Sequence, residues 1–167
     1  MGLLRRTTGE KPKQGLIKVR TTLVARHLDP NGKEIGCRIV RDKVVTNVFV
    51  QDIVDCLTGT TADLTTFKNY KWHAYGTSTA AEAAANTALT TKVGNYRTGT
   101  QVEGTSANAY KSVCTVSATG THAITEHGLF NSSAGLALMD RTKFAAINVT
   151  SGDKIEFTFT IQFSSGG

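Results

Sequence analysis

The strongest pattern in the chain lies near its end. From Asp153 onward, Ile155, Phe157, Phe159, Ile161 and Phe163 alternate with Lys154, Glu156, Thr158, Thr160 and Gln162. Successive side chains of a strand point to opposite faces, so period two makes one face apolar and the other polar. A helix would need apolar residues three and four apart, which this run lacks. The preceding Thr150-Ser151-Gly152-Asp153 reads as a turn, and Phe144 to Val149 as the partner strand of a hairpin. An aromatic strand face must be covered, so the rest of the chain has to supply a second layer.

Leu16 to His27 alternates more loosely, Pro30-Asn31-Gly32 reverses the chain, and Glu34 to Val45 returns as a second strand of a hairpin. The period then changes. Val50, Ile53, Val54 and Leu57 fall at i, i+3, i+4 and i+7, which predicts a short amphipathic helix over Val48 to Leu57. Asn47 is placed to cap it and Gly59 to end it. A threonine-rich loop, Thr58 to Asn69, leads to an aromatic strand, Tyr70 to Gly76, with Tyr70, Trp72 and Ala74 assigned to one face. The alanines from Ala80 to Ala85 favour one or two helical turns. Val93 to Thr105 and Asn108 to Ser117 read as strands, with a turn at Thr119-Gly120-Thr121. Gly128 is expected to turn the chain after Glu126 so that Leu129 and Phe130 plug the core. Asn131 to Gly135 forms a polar loop before Leu136 to Met139 enters the next strand. No internal repeat is present.

Composition supports an all-β reading. The 26 threonines suit solvated sheet faces, and 16 glycines supply turns. At 167 residues one domain is expected, over 16–167, preceded by an arm at 1–15. The arm reading comes from charge. Of the net +6, residues 1–20 carry Arg5, Arg6, Lys11, Lys13, Lys18 and Arg20 against Glu10, or 6 − 1 = +5. Such a basic, almost core-free segment fits an acidic protein surface or nucleic acid. Alone it buries too little to offset its ordering entropy, so it is expected to order only against a partner. Leu3 and Leu4 would be its apolar anchor, and Arg5, Arg6, Lys11 and Lys13 its contacts with partner carboxylates. Three cysteines, Cys37, Cys56 and Cys114, fit a reducing cytoplasm better than a disulfide framework. No run of 18 apolar residues and no secretion signal is evident, so no membrane span is expected, and the two glycosylation sequons are read as chance.

Candidate chemistry is sparse. His122, Glu126 and His127 spell His-x-x-x-Glu-His, one residue longer than the inverted zinc-protease motif, in a segment that reads as strand and turn. Surface or interface histidines are the expectation, with no metal and no cofactor. Nucleophile elbow, phosphate-cradling loop and Cys-x-x-Cys are all absent, and no catalysis is expected. Tyr70, Trp72 and Tyr75, beside Lys68 and Lys71, could stack on bases. The bland alternative, that they fill the core, is favoured, because the body of the chain lacks interleaved charge.

Three stretches together resemble structural proteins of tailed bacteriophages. The first is Leu23-Val-Ala-Arg-His-Leu-Asp-Pro-Asn-Gly-Lys with Val44-Val-Thr-Asn and Asp52-Ile-Val-Asp-Cys-Leu-Thr-Gly. The second runs Tyr75-Gly-Thr-Ser-Thr through Asn86-Thr-Ala-Leu-Thr-Thr-Lys-Val. The third is Ile124-Thr-Glu-His-Gly-Leu-Phe-Asn-Ser-Ser-Ala-Gly with Leu138-Met-Asp-Arg-Thr-Lys-Phe and the closing aromatic strand. The resemblance implies a β-sandwich, jelly-roll-like in form, to which the residue pattern adds one or two short helices. It implies a capsid decoration or cement protein, made in the host cytoplasm, that binds major capsid protein subunits as a homo-oligomer, dimer or trimer. A tail-fibre or receptor-binding component is the alternative. No long repetitive shaft is present, and this favours the capsid. No catalytic residue is carried over.

Overall fold

The aromatic strand sits in the middle of its sheet. In the computed structural model, which describes residues 16–58 and 67–166, Lys154–Gly166 is flanked on both sides by antiparallel partners. The elements in chain order are β1 (Leu16–Leu28), β2 (Glu34–Arg41), β3 (Val44–Val45), α1 (Asn47–Thr58), β4 (Trp72–Gly76), β5 (Lys92–Thr98), β6 (Thr100–Glu103), β7 (Ala109–Ser117), β8 (His122–Phe130), β9 (Leu138–Val149) and β10 (Lys154–Gly166). Two five-stranded sheets result, β2-β1-β10-β7-β6 and β3-β9-β8-β4-β5, all pairings antiparallel. The protein is an all-β sandwich. Ile155, Phe157, Phe159 and Ile161 are buried between the sheets with Leu23, Ala25, Ile124, Leu129, Ile147 and Val149.

Pairs β1/β2, β4/β5, β6/β7 and β8/β9 are hairpins, and the chain changes sheet between them. That winding overturns the expected hairpin of Phe144–Val149 with the final strand. β9 pairs with β8, while β10 lies in the facing sheet, and Phe144 meets Phe157 across the core. The turn itself is where it was expected. The Asp153 carboxylate accepts from Thr150 N at 2.8 Å and Thr150 Oγ1 at 3.0 Å, with Gly152 at φ 95°. Such a local turn leaves open which sheet the chain enters. Hydrogen bonds from Ala118 N to Asp153 O (2.8 Å) and Gly152 N to Ala118 O (3.0 Å) tie this corner to the end of β7.

The expected strand Val93–Thr105 is likewise two strands in different sheets. Its corner is Gly99, whose amide donates to Lys71 O at 2.7 Å, and where a Cβ would stand 2.7 Å from both His73 Nε2 and Val113 O. Glu34–Val45 also divides, at Asp42 (φ 53°), into β2 and β3 of opposite sheets. The helix is real, but its cap is Thr46, whose hydroxyl accepts from Phe49 N at 3.3 Å, and Asn47 is its first residue. Gly59 lies outside the described residues.

Around Ala80–Ala85 no helix forms. Gly128 makes no turn either. It lies inside β8 between Ala74 and Arg141 of the neighbouring strands, while Leu129 and Phe130 are fully buried as expected. Tyr70 precedes β4 and enters the main core against Phe49. Trp72 and Ala74 instead join a smaller cluster with Leu89, Phe130 and Leu138. They do not share Tyr70's face of the sheet.

Candidate functional site

Residues 77–91 form an irregular strap over the outer face of the second sheet. A strap without ladder hydrogen bonds needs side chains to satisfy its backbone. Glu126 on β8 and Arg141 on β9, both essentially inaccessible, supply them. The Glu126 carboxylate accepts Thr91 N at 2.9 Å and Thr90 N at 3.4 Å, and is paired with Arg141 at 2.8 Å. Arg141 donates onward to Ala81 O (2.9 Å), Ala80 O (3.3 Å) and Asn86 Oδ1 (3.2 Å). The alanine carbonyls are thus bound by a guanidinium, which explains why helix propensity loses here. Thr125 Oγ1 donates to Ser78 O at 2.7 Å. Leu89 packs beneath the strap on Phe130 and Leu138. Gly76 lies so close to Thr91 O and Glu126 that no side chain fits. The motif stretches around 75–93, 124–131 and 138–143 therefore meet in one place.

On the inner face, His127 is wholly buried, which corrects the expectation of a surface or interface histidine, and His73 is buried beside it. His73 Nδ1 lies 2.9 Å from His127 Nε2, and its Nε2 lies 2.9 Å from Ser112 Oγ. Ser112 Oγ donates its one proton to Thr100 O at 2.9 Å, so towards His73 it must accept. This fixes the tautomers: His73 carries its proton on Nε2, and His127 donates from Nε2 to His73 Nδ1. His127 Nδ1 is then a bare acceptor with no partner among the described residues. Burial pushes the His73 pKa down to about 3 and, with the neighbouring His73, holds His127 well below its ordinary value. Both rings are neutral.

Ser112, His73 and His127 have the connectivity of a nucleophile, base and orienter. Two features set them apart from a working site. The serine hydroxyl is buried, and it receives a hydrogen bond from the imidazole rather than offering its proton to it. Asp140, opposite Leu129 on the inner face, is fully buried as well. Its Oδ1 accepts from Thr142 Oγ1 at 2.5 Å, its Oδ2 has no partner among the described residues, and burial raises its pKa to about 7 against the opposing Thr142 bond.

An apolar cavity of about 550 Å³ opens at one end of the sandwich. Phe49, Tyr70, Tyr110, Met139, Ile161 and Phe163 line it, with Lys68, Gln101 and Glu103 also at its wall. The Tyr110 hydroxyl donates to Tyr70 O and accepts Gln101 Nε2 at 3.1 Å, which holds its ring in the wall.

Within this frame the sequence candidates fall apart. Neighbouring positions in β8, Glu126 and His127 face opposite sides of the sheet, and Glu126 is committed to Arg141 and the strap. Among the described residues no three His, Cys, Asp or Glu side chains converge as metal ligands. Tyr70 and Tyr75 are core residues, Trp72 is half-buried, and the three form no exposed stacking row. Leu3, Leu4, Arg5, Arg6, Lys11 and Lys13 lie outside the described residues. No helix among the described residues is long and apolar enough to cross a membrane. The His73–Ser112 and His73–His127 contacts span 39 and 54 positions, so no local motif announces them. Their one sequence signal is a histidine at an apolar position of an alternating strand. Comparison with family models, with curated proteins and with solved structures gives no match to this chain.

Proposed function

We propose that this chain is a non-enzymatic virion protein of a tailed bacteriophage, a capsid decoration or cement protein that binds coat subunits as a homo-oligomer. One observation carries the reading. The residues of the phage-like motifs, Gly76, Asn86, Leu89, Thr125, Glu126, Gly128 and Arg141, are spent on fastening the strap to its sheet, with their polar groups turned inward. A motif used in this way is a scaffold signature and carries no chemistry of its own, which suits a protein whose work is to hold a shape against a neighbour. The inverted polarity at Ser112 supports the same reading. The basic arm, with Arg5, Arg6, Lys11 and Lys13, supplies the attachment to acidic coat surfaces.

The experiment compares particles assembled with and without the protein. Particles lacking it are expected to lose heat and low-salt resistance, and addition of the purified chain to restore both. Shells of unchanged stability would sink the capsid reading. Adsorption of the purified protein to host cells would move it to the tail.

A further inference from the structure

The two sheets differ on their outer sides. The strap covers the second sheet, whereas no described segment covers the first. An antiparallel sheet can leave one face to water, and such a face is normally an even mixture of polar side chains. This one is sorted. Its register places Arg41, Thr22, Thr160, Lys111 and Val102 in one row across β2, β1, β10, β7 and β6. Arg20 beside Gln162 and Lys18 beside Ser164 continue it towards the start of β1. On the other side comes a largely apolar row, Ile39, Val24, Thr158 and Val113, in which Ile39 is 54% exposed.

Lys18, Arg20, Arg41 and Lys111 take part in none of the ion pairs found among the described residues. The carboxylates of this face, Glu34 and Glu156, stand further along and both engage Arg26, at 2.7 and 2.9 Å. With strands ~4.8 Å apart, Arg41 and Lys111 are separated by roughly 14 Å. Four cations with no ion-pair partner among the described residues thus border an apolar strip.

We propose that this outer face of the first sheet is a docking surface for an acidic protein surface. An uncharged strip of Ile39, Val24 and Val113 is suited to exclude water against apolar side chains, while the cations meet carboxylates at the edge. The outward positions of the five strands hold no aromatic side chain on which a base could stack, which sets nucleic acid behind protein as the partner. The surface includes none of residues 1–15. It stands on the register and the charges, whether or not the virion reading holds.

The test uses the full chain and two charge-reversal pairs of equal net charge. Arg20→Glu with Lys111→Glu alters the face. Lys33→Glu with Arg97→Glu alters exposed sites away from it. The probes are poly-L-glutamate and a 20-base-pair DNA duplex, titrated at low and raised salt. The face pair is expected to weaken polyglutamate binding by about tenfold or more, and the control pair by less than about threefold. The unaltered chain should bind polyglutamate more tightly than the duplex. Equal losses in the two pairs would reduce the effect to net charge and overturn the proposal. Tighter binding to the duplex would overturn it in favour of nucleic acid. If the face pair fails to unfold at the normal temperature, Arg20→Gln with Lys111→Gln is compared with Lys33→Gln and Arg97→Gln on the same criteria.

Discussion

Gly128 occupies a point where three side chains already meet. A Cβ there would lie 2.8 Å from Phe130 Cε2, 2.9 Å from Leu89 Cδ2 and 3.0 Å from Leu138 Cδ1. Gly128→Ala is therefore expected to lower stability by about 1–3 kcal/mol, the usual cost of overpacking a filled site. Urea unfolding measures it, and Leu89→Ala in the same chain should recover part of the loss by vacating one contact. A loss that Leu89→Ala leaves untouched would place the strain in the β8 backbone instead. Gly99 works differently, since a Cβ there meets the backbone carbonyl of Val113, which cannot move aside without disturbing β7.

The strap is the element most dependent on a single buried charge pair. Desolvating Glu126 and Arg141 is costly, and the five hydrogen bonds they make to residues 80–91 are what offset it. Glu126→Gln leaves Arg141 buried without its counter-charge, and a loss of about 3–5 kcal/mol is expected. The damage should be local before it is global. Amide exchange at Thr90 and Thr91 should accelerate and protease cleavage should appear within 77–91, at denaturant concentrations where β10 amides stay protected. Uniform acceleration throughout both sheets would show instead that the strap is no separate unit.

For the molecule as a whole, buried neutral groups make acid the sensitive direction. His73 falls from 6.5 unfolded to about 3 folded, and His127 falls well below 6.5. As pH drops below 6.5 the unfolded chain takes up these protons and the folded one does not, so each histidine withdraws stability, at up to about 1.4 kcal/mol per pH unit. Asp140 has the opposite sign. Its pKa is raised from 3.8 to about 7, so its contribution is complete below 3.8 and is lost as pH rises through 7. Between about pH 4 and 6.5 one histidine is offset, and the net slope is about 1.4 kcal/mol per unit. Asp140→Asn should raise stability at pH 8 and roughly double the slope below 6.5. Chemical denaturation at several pH values checks both, and an unaltered slope would remove Asp140 from the account.

Period two in Ile155–Phe163 was enough to place a half-buried strand, and the i, i+3, i+4 spacing of Val50–Leu57 was enough to place the helix, because both signals are local consequences of backbone geometry. The all-β class was legible for the same reason. Which sheet each strand joins was not. A turn such as Thr150–Asp153 closes equally well on a hairpin or on a corner between layers, so β9 and β10 parted only when both apolar faces had to meet across one core. Gly99 and Asp42 likewise split strands that read as continuous, because the clash or bend acts through residues distant in the chain. The alanines of the strap had helical propensity, worth only tenths of a kcal/mol per residue, and lost it to the Arg141 guanidinium. Glu126 and Arg141 stood in the motif stretches without showing that they would pair, and His73, His127 and Ser112 showed nothing of their contact. Such pairings belong to folding itself, since burial alone removes the water that each of these groups would otherwise bind.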